Sequence, residues 1–264
     1  MSAMSSNVVA FAGDWHLSGN WARHRIAEVG ARGVRTLFHV GDFEIRAGLP
    51  GERFRAVVDE ACREHDVTIY VTPGNREDWP MILGASVDER DDFGPLAWFG
   101  DRIAVLPRGH RFTHGGRSFV SLGGAPSINF ETCVRGVDWF PEEMITRDDV
   151  AAVVAGGPAE VMIAHDAPDA PWQTGKVEGI CTHNPGGWSA MALAYAAIGR
   201  RRITEAFLAV APELFVHGHY HVDESRIVEL PSGDECRMVS LDCDGTDGSL
   251  AFVDLDTLGP AAGS

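Results

Sequence analysis

The chain has 264 residues, 45% of them hydrophobic, which is enough for one sizeable globular core. Its 38 acidic residues against 22 basic ones leave a formal net charge of −16. Without a basic run to neutralise phosphates, long duplex nucleic acid is excluded as a partner. No stretch approaches the ~20 apolar residues of a membrane helix, and the apolar run Val8 to Ala12 is too short for a signal-peptide core. The five cysteines are scattered, odd in number and free of C-x-x-C spacing. A reducing, cytoplasmic setting with no membrane partner is therefore expected.

In chain order, the first third alternates short apolar runs with helical patterns. Residues 7–11 read as a strand, 20–30 as a helix, 34–40 as a strand, 51–65 as a helix and 67–71 as a strand. That β-α-β-α-β order predicts a parallel, helix-covered sheet. Further on, IAVLP (103–107) and RSFVSL (117–122) flank a turn at Gly115-Gly116 and are expected to pair antiparallel. Residues 147–155 read as a helix, 160–164 as a strand and the Ala-rich stretch 188–211 as a helix. Short strands are expected at 214–216, 226–230, 237–241 and 250–255. No linker or repeat divides the chain, so a single domain over 1–258 is expected, with 259–264 as a loose tail.

Asp14, Asp42, Asn75, His165 and His219 each fall just past the carboxyl end of an expected strand. In open α/β sheets that edge is where ligands bind, so residues far apart in sequence can converge there. Asp14-Trp15-His16 and His219-Tyr220-His221 share a spacing of two. In extended backbone that spacing aims both side chains of each pair to one side. Carboxylate, imidazole and amide oxygen donors, with no thiolate, suit two divalent ions: manganese first, with iron, zinc, nickel or cobalt as alternatives. Two dications, two carboxylates and a hydroxide leave roughly one positive charge, which favours a phosphodiester monoanion. The expected chemistry is attack of a metal-bridging hydroxide on phosphorus.

The ordered segments GDWH, GDFE, GNRE, AHDAP and GHYH resemble the five blocks of the calcineurin-like metallophosphoesterases, and they run from residue 13 to 221. The resemblance implies a four-layer α/β/β/α sandwich of two mixed sheets flanked by helices. It also implies that Asp14, His16, Asp42 and His221 hold one metal, and Asp42, Asn75, His165 and His219 the other. GDFE lacks the V-D-R-G continuation of the Ser/Thr protein phosphatases, which argues against that subgroup. The third block of the family normally carries a histidine that protonates the leaving oxygen; here Arg76 stands in its place. A guanidinium stays protonated and cannot serve as a general acid, but it can bind a charged phosphorane. The alternative for Arg76 is a surface ion pair with Glu77 or Asp78.

From Gly123 the segment GGAPSINFETCVRGVDWFPEE is similar to that of phage and actinobacterial members of the family. By that similarity Asn129 and Arg135 are expected near the substrate, which would be a small phosphoester, nucleotides including 2′,3′-cyclic ones. His183, in CTHNPGGW, is a further candidate substrate contact, with a structural loop role as its alternative. His39 and His217 precede glycines in their motifs and are candidates to back the ligands. The competing readings are a phosphomonoesterase or nuclease on the same site, and a binding module of the same fold that has lost catalysis.

Overall fold

Strands whose residues are buried on both faces need cover on both sides, and that requirement sets the architecture. VVAFA, VMIA and LFVH are such strands. The computed structural model describes residues 7–262. Its first part comprises β1 (Val8–Ala12), α1 (Gly19–Ala31), β2 (Thr36–His39), α2 (Leu49–His65), β3 (Thr68–Val71) and α3 (Trp79–Leu83). Five strands follow: β4 (Val87–Glu89), β5 (Pro95–Trp98), β6 (Ile103–Val105), β7 (Arg111–His114) and β8 (Arg117–Leu122). Then come α4 (Arg147–Ala155), β9 (Val161–Ala164), α5 (Gly175–His183) and α6 (Ala190–Val210). The chain closes with β10 (Leu214–His217), β11 (Glu224–Glu229), β12 (Glu235–Ser240), β13 (Leu250–Asp254) and β14 (Gly259–Pro260).

The strands form two mixed sheets, ordered β14-β13-β1-β2-β3-β6-β5-β4 and β11-β12-β10-β9-β8-β7. In the first, β1, β2, β3 and β6 run parallel, with antiparallel β13 and β5 on either side. In the second, β8, β9, β10 and β12 run parallel between antiparallel edges. Three apolar cores separate four layers. Ile26 and Val58 of α1 and α2 pack on Ala10, Leu37 and Ile69. The opposite residues, Phe11, Phe38 and Tyr70, meet Phe112, Phe119, Ile163 and Val216 between the sheets. Phe38 lies 5.7 Å from Phe112 and 5.3 Å from Phe119, ring to ring. On the far side Ile203 and Phe207 of α6 and Val153 of α4 cover Val120, Met162 and Phe215. The result is the four-layer α/β/β/α sandwich that the motif resemblance implies.

Local signals place the helix ends. At α4 Thr146 Oγ1 accepts from the Asp149 N–H at 3.1 Å while Asp149 accepts from the Thr146 N–H at 2.7 Å, a reciprocal cap. Ser189 caps α6 through the Ala192 N–H at 3.0 Å.

Three expectations are corrected. The runs at 103–107 and 117–122 do not pair: β6 lies parallel to β3 in the first sheet, whereas β8 pairs with β7 across Gly115-Gly116 in the second. Period-2 patterning shows that a segment is a strand and says nothing about which sheet recruits it. The segment CTHNPGGW, read as loop, begins inside helix α5, which runs on to His183 and whose apolar pattern is too sparse to stand out. The expected loose tail starts as β14, where Gly259 pairs with Asp254; residues 263–264 lie outside the described residues, as do 1–6. No described helix is long and apolar enough to cross a membrane. The five cysteines are all free thiols.

Candidate metal centre

β1, β2 and β3 of the first sheet and β9 and β10 of the second deliver Asp14, Asp42, Asn75, His165 and His219 from the loops at their carboxyl ends. The loops need unusual backbone to do so. His16, Leu17, Asp42, Glu44, His219 and His221 all have φ between 44° and 69°. Left-handed backbone at non-glycine residues costs roughly 1–3 kcal/mol each and persists only where surrounding structure enforces it. This corrects the reading of the two i, i+2 pairs. Their side chains converge through left-handed turns at His16, His219 and His221, not through extended strand.

The glycines of the motifs make room for the same convergence. A Cβ on Gly74 would overlap Asp42 Oδ1 and a Cβ on Gly218 would overlap Asp14 Oδ1. Glycine at these points lets the backbone run directly behind a carboxylate.

The donors meet in two adjoining clusters. In one, the ligating atoms of Asp14, His16 and His221 all lie within 4.8 Å of one another; in the other, those of Asp14, Asp42 and His165 do. His221 Nε2 is 3.0 Å from Asp14 Oδ2. Asp42 stands between the clusters, with Oδ2 3.6 Å from His16 Nε2 and Oδ1 3.3 Å from His165 Nε2. Asn75 Oδ1 is 3.1 Å from the same His165 nitrogen. The His219 ring lies 4.9 Å from that of His165, and its backbone N–H is 3.3 Å from both Asp14 oxygens.

The charge balance of these groups fits cations. Asp14 and Asp42 are buried, and among the described residues neither pairs with a Lys or Arg. Burial lowers the pKa of His16 and His165, but Asp42 and its neighbouring carboxylates outweigh it and raise them to about 9 and about 10. The same carboxylates that favour a protonated imidazole would favour any cation held between them. Buried oxygens and imidazole nitrogens facing one another, with no thiolate, are the donors that divalent transition metals take. The residues present therefore fit two such ions.

Supporting contacts fix each donor. His165 Nδ1 faces the Val40 carbonyl at 2.8 Å, and His16 Nδ1 faces Asp244 Oδ1 at 2.9 Å, so both turn Nε2 toward the centre. Asp42 Oδ1 accepts the N–H groups of Asn75 and Arg76, each at 2.9 Å. The Asn75 amide donates through Nδ2 to Ser127 Oγ at 3.1 Å, and that hydroxyl donates to Glu143 Oε2 at 2.6 Å. This chain leaves the Asn75 carbonyl oxygen facing the donors. Glu143 is buried and also accepts from the Ser127 N–H at 2.6 Å and Trp139 Nε1 at 3.0 Å. Glu77 accepts from the N–H groups of Phe43, Glu44 and Gly74, tying the second ligand loop to the third.

Asp244, Ser127 and Glu143 do not stand out in the sequence, and Glu77 does so only as a possible ion-pair partner of Arg76. The strand-end rule could have found Asp244, which follows β12 as Asp14 follows β1. Nothing in local sequence marks Glu143.

The remaining candidates divide. Arg76 and Asn129 line the open groove above the donors together with Glu44, Ile128 and Trp188. Arg76 Nε is 3.4 Å from Glu44 Oε1, so its ion pair is with Glu44 and not with Glu77 or Asp78. Arg135 is exposed and bridges in backbone to Trp139, away from the groove lining. His183 ends α5, exposed, with Nδ1 2.8 Å from the Gly179 carbonyl. Neither lines the groove over the donors. His39 and His217 are buried, but they back no ligand by hydrogen bond: His39 Nδ1 accepts from the Gly41 N–H, and His217 Nδ1 faces the Gly218 carbonyl. His39 is packed edge-on between Trp15 and Phe43.

No family model matches the chain, and no curated protein matches it. Among solved structures, a protein of Thermus thermophilus designated TT1561 is 11% identical, with a TM-score of 0.55 over 97% of this chain and 98% of its own. A second crystal structure, 14% identical, aligns over the same shares with a TM-score of 0.57. A dimetal phosphatase from Danio rerio is 10% identical over 94% and 92%, with a TM-score of 0.48. The likeness to the first two spans the whole sandwich, and fold is what it establishes.

Proposed function

We propose that this chain is a calcineurin-like metallophosphoesterase that holds two divalent ions, manganese first among them, and hydrolyses small phosphodiesters, nucleotides such as 2′,3′-cyclic ones included. The observation that carries the reading is the pair of adjoining carboxylate–imidazole clusters that share Asp14. Bound there, divalent ions would supply Lewis acidity and lower the pKa of water toward ~7.

The chain's own groups do the rest. Arg76 sits on the groove wall with about a third of its side chain exposed, held at one end by Glu44. Its free guanidinium edge can bind a non-bridging phosphoryl oxygen and stabilise the charge that grows there. Asn129 offers a neutral amide beside it. Every histidine lining the groove (His16, His219 and His221) belongs to the donor set. Water is left to protonate the departing oxygen.

The test is a panel of 2′,3′-cyclic, 3′,5′-cyclic and linear diesters assayed with added manganese, beside metal counting on the purified chain. Turnover of at least one diester class with two ions bound is expected. No turnover of any diester with manganese, iron, zinc, nickel or cobalt would overturn the enzymatic reading and leave the binding-module one.

A further inference from the structure

Beside the metal centre a second cavity of about 240 Å³ opens between α5, α6 and the loop joining them. His219, Ile128 and Trp188 line both this cavity and the groove over the donors, so the two spaces adjoin. Its walls are mainly apolar, from Ile128, Ile180 and Leu193, with Trp188 at the mouth and 41% exposed. Arg200 is the cationic group in the lining. Arg200 Nε donates to Asp169 at 2.9 Å; its two terminal nitrogens have no hydrogen-bond or ion-pair partner among the described residues. The side chain is only 15% exposed. Those nitrogens keep only a little contact with solvent, and an acceptor that enters the cavity can take the place of that water. The other polar groups are already engaged. Tyr220 donates to Asp166 at 2.7 Å, and Asn184 bonds the Trp188 backbone through both ends of its amide.

We infer that this cavity seats the organic group of the phosphoester whose phosphorus lies over the metal centre, and that this group is a flat ring system bearing a hydrogen-bond acceptor. The inference rests on the phosphoesterase reading above. The volume is below the roughly 300–1,000 Å³ of pockets that enclose drug-sized ligands, which suits one ring system better than a long chain. An indole at the mouth offers a stacking face and Arg200 offers the donors. An apolar chain would leave Arg200 unsatisfied, and a small polar alcohol would leave the apolar walls wet. Nucleobases and aryl carbonyl groups share the required chemistry.

Calorimetric titration of the manganese-loaded chain with adenosine 5′-monophosphate, ribose 5-phosphate, phenyl phosphate and 4-carbamoylphenyl phosphate tests it. All four are phosphate monoesters; the nucleotide against ribose 5-phosphate reports the ring, and the carbamoylphenyl ester against phenyl phosphate reports the acceptor. The two acceptor-bearing rings are expected to bind about tenfold more tightly than ribose 5-phosphate, the scale of one ring stacked on an aromatic side chain. Preference for the nucleotide over the carbamoylphenyl ester assigns the cavity to nucleobases, and the reverse preference assigns it to aryl groups. Leu193→Trp, which fills the cavity from α6, should abolish the advantage while leaving ribose 5-phosphate affinity within about twofold of wild type. Should Leu193→Trp not fold, Trp188→Ala, at an exposed position, should cut the ring advantage at least in half.

Equal affinity for all four ligands in a chain that hydrolyses diesters overturns the cavity assignment alone. Phenyl phosphate binding as tightly as the acceptor-bearing rings overturns the role of Arg200. A ring-dependent affinity in a chain without phosphoesterase turnover overturns the catalytic reading, and with it the claim that the ring belongs to a substrate.

Discussion

The two walls of the groove are made in different ways. The donor wall consists of short loops that leave buried parallel strands, each bearing one or two of the candidate metal donors within about four residues of the strand end. The facing wall comes from two irregular connections: the one between β8 and α4, which carries Ile128 and Asn129, and the one between α5 and α6, which carries Trp188. On the donor wall position follows from the sheet, so motif and geometry coincide. On the facing wall position follows from packing against α6 and from single hydrogen bonds, such as Ser127 to Glu143. The difference teaches that chemistry resides on the rigid side, and the recognition of a particular organic group on the adaptable one.

The largest expected effect breaks the donor wall. Asp42→Ala removes the carboxylate between the clusters; metal content should fall below two ions per chain and turnover by roughly 10³-fold or more, read by elemental analysis and diester assay. Retention of both ions and of turnover would mean that Asp42 does not hold them. Arg76→Ala should come next, lowering turnover by roughly 10²-fold with metal content unchanged. Arg76→His should give a new limb in the pH–rate profile, because imidazole titrates near neutrality and guanidinium does not. Identical kinetics in both variants would remove Arg76 from the mechanism.

Ser127→Ala tests where the facing wall supports the donor wall. Without the hydroxyl the Asn75 amide loses its anchor, and metal affinity should weaken by about 10- to 100-fold, as when other outer partners of ligands are removed. Competition with a chelator measures it. An unchanged affinity would show that Asn75 is oriented by its own loop.

The smallest effect concerns Glu143. Burial pushes its carboxyl up to about 7, against the bonds from Ser127, Trp139 and Tyr195 that favour the charged form. The folded chain therefore keeps a proton that the unfolded chain has already lost above its ordinary value of 4.5. Stability contributed at this position should fall as pH rises from 4.5 to 7 and level off above that, by about 1–3 kcal/mol in all. Denaturant unfolding at pH 4.5, 6 and 8 checks it, and Glu143→Gln should flatten that part of the profile. A profile that keeps its slope in Glu143→Gln would place the effect elsewhere.

Much of the donor wall was legible because its residues obey a rule of position. Asp14, Asp42, Asn75, His165 and His219 could be picked out by standing just past apolar runs; the structure clusters Asp14, Asp42 and His165 with His16 and His221, and sets the Asn75 amide and the His219 ring against His165. Arg135 and His183 rest on resemblance or residue type alone, and neither lines the groove over the donors. His39 and His217 show the limit of adjacency. Next to a motif in sequence, their rings point into buried aromatic surroundings. Glu143 shows the reverse limit. It lies 68 positions from Asn75, yet one hydroxyl connects them.

By itself the sequence determined the alternation of strands and helices, the two-sheet class that its ordered motifs imply, and which side chains gather at the strand ends. These follow from periodic burial and from the single direction in which parallel strands point. Only the tertiary structure decided which sheet took β6 and β8, that left-handed turns aim the paired histidines, and that Ser127 and Glu143 steady Asn75. Sheet partnership, turn handedness and through-space hydrogen bonds depend on what lies opposite once the layers close. No stretch of chain carries that information locally.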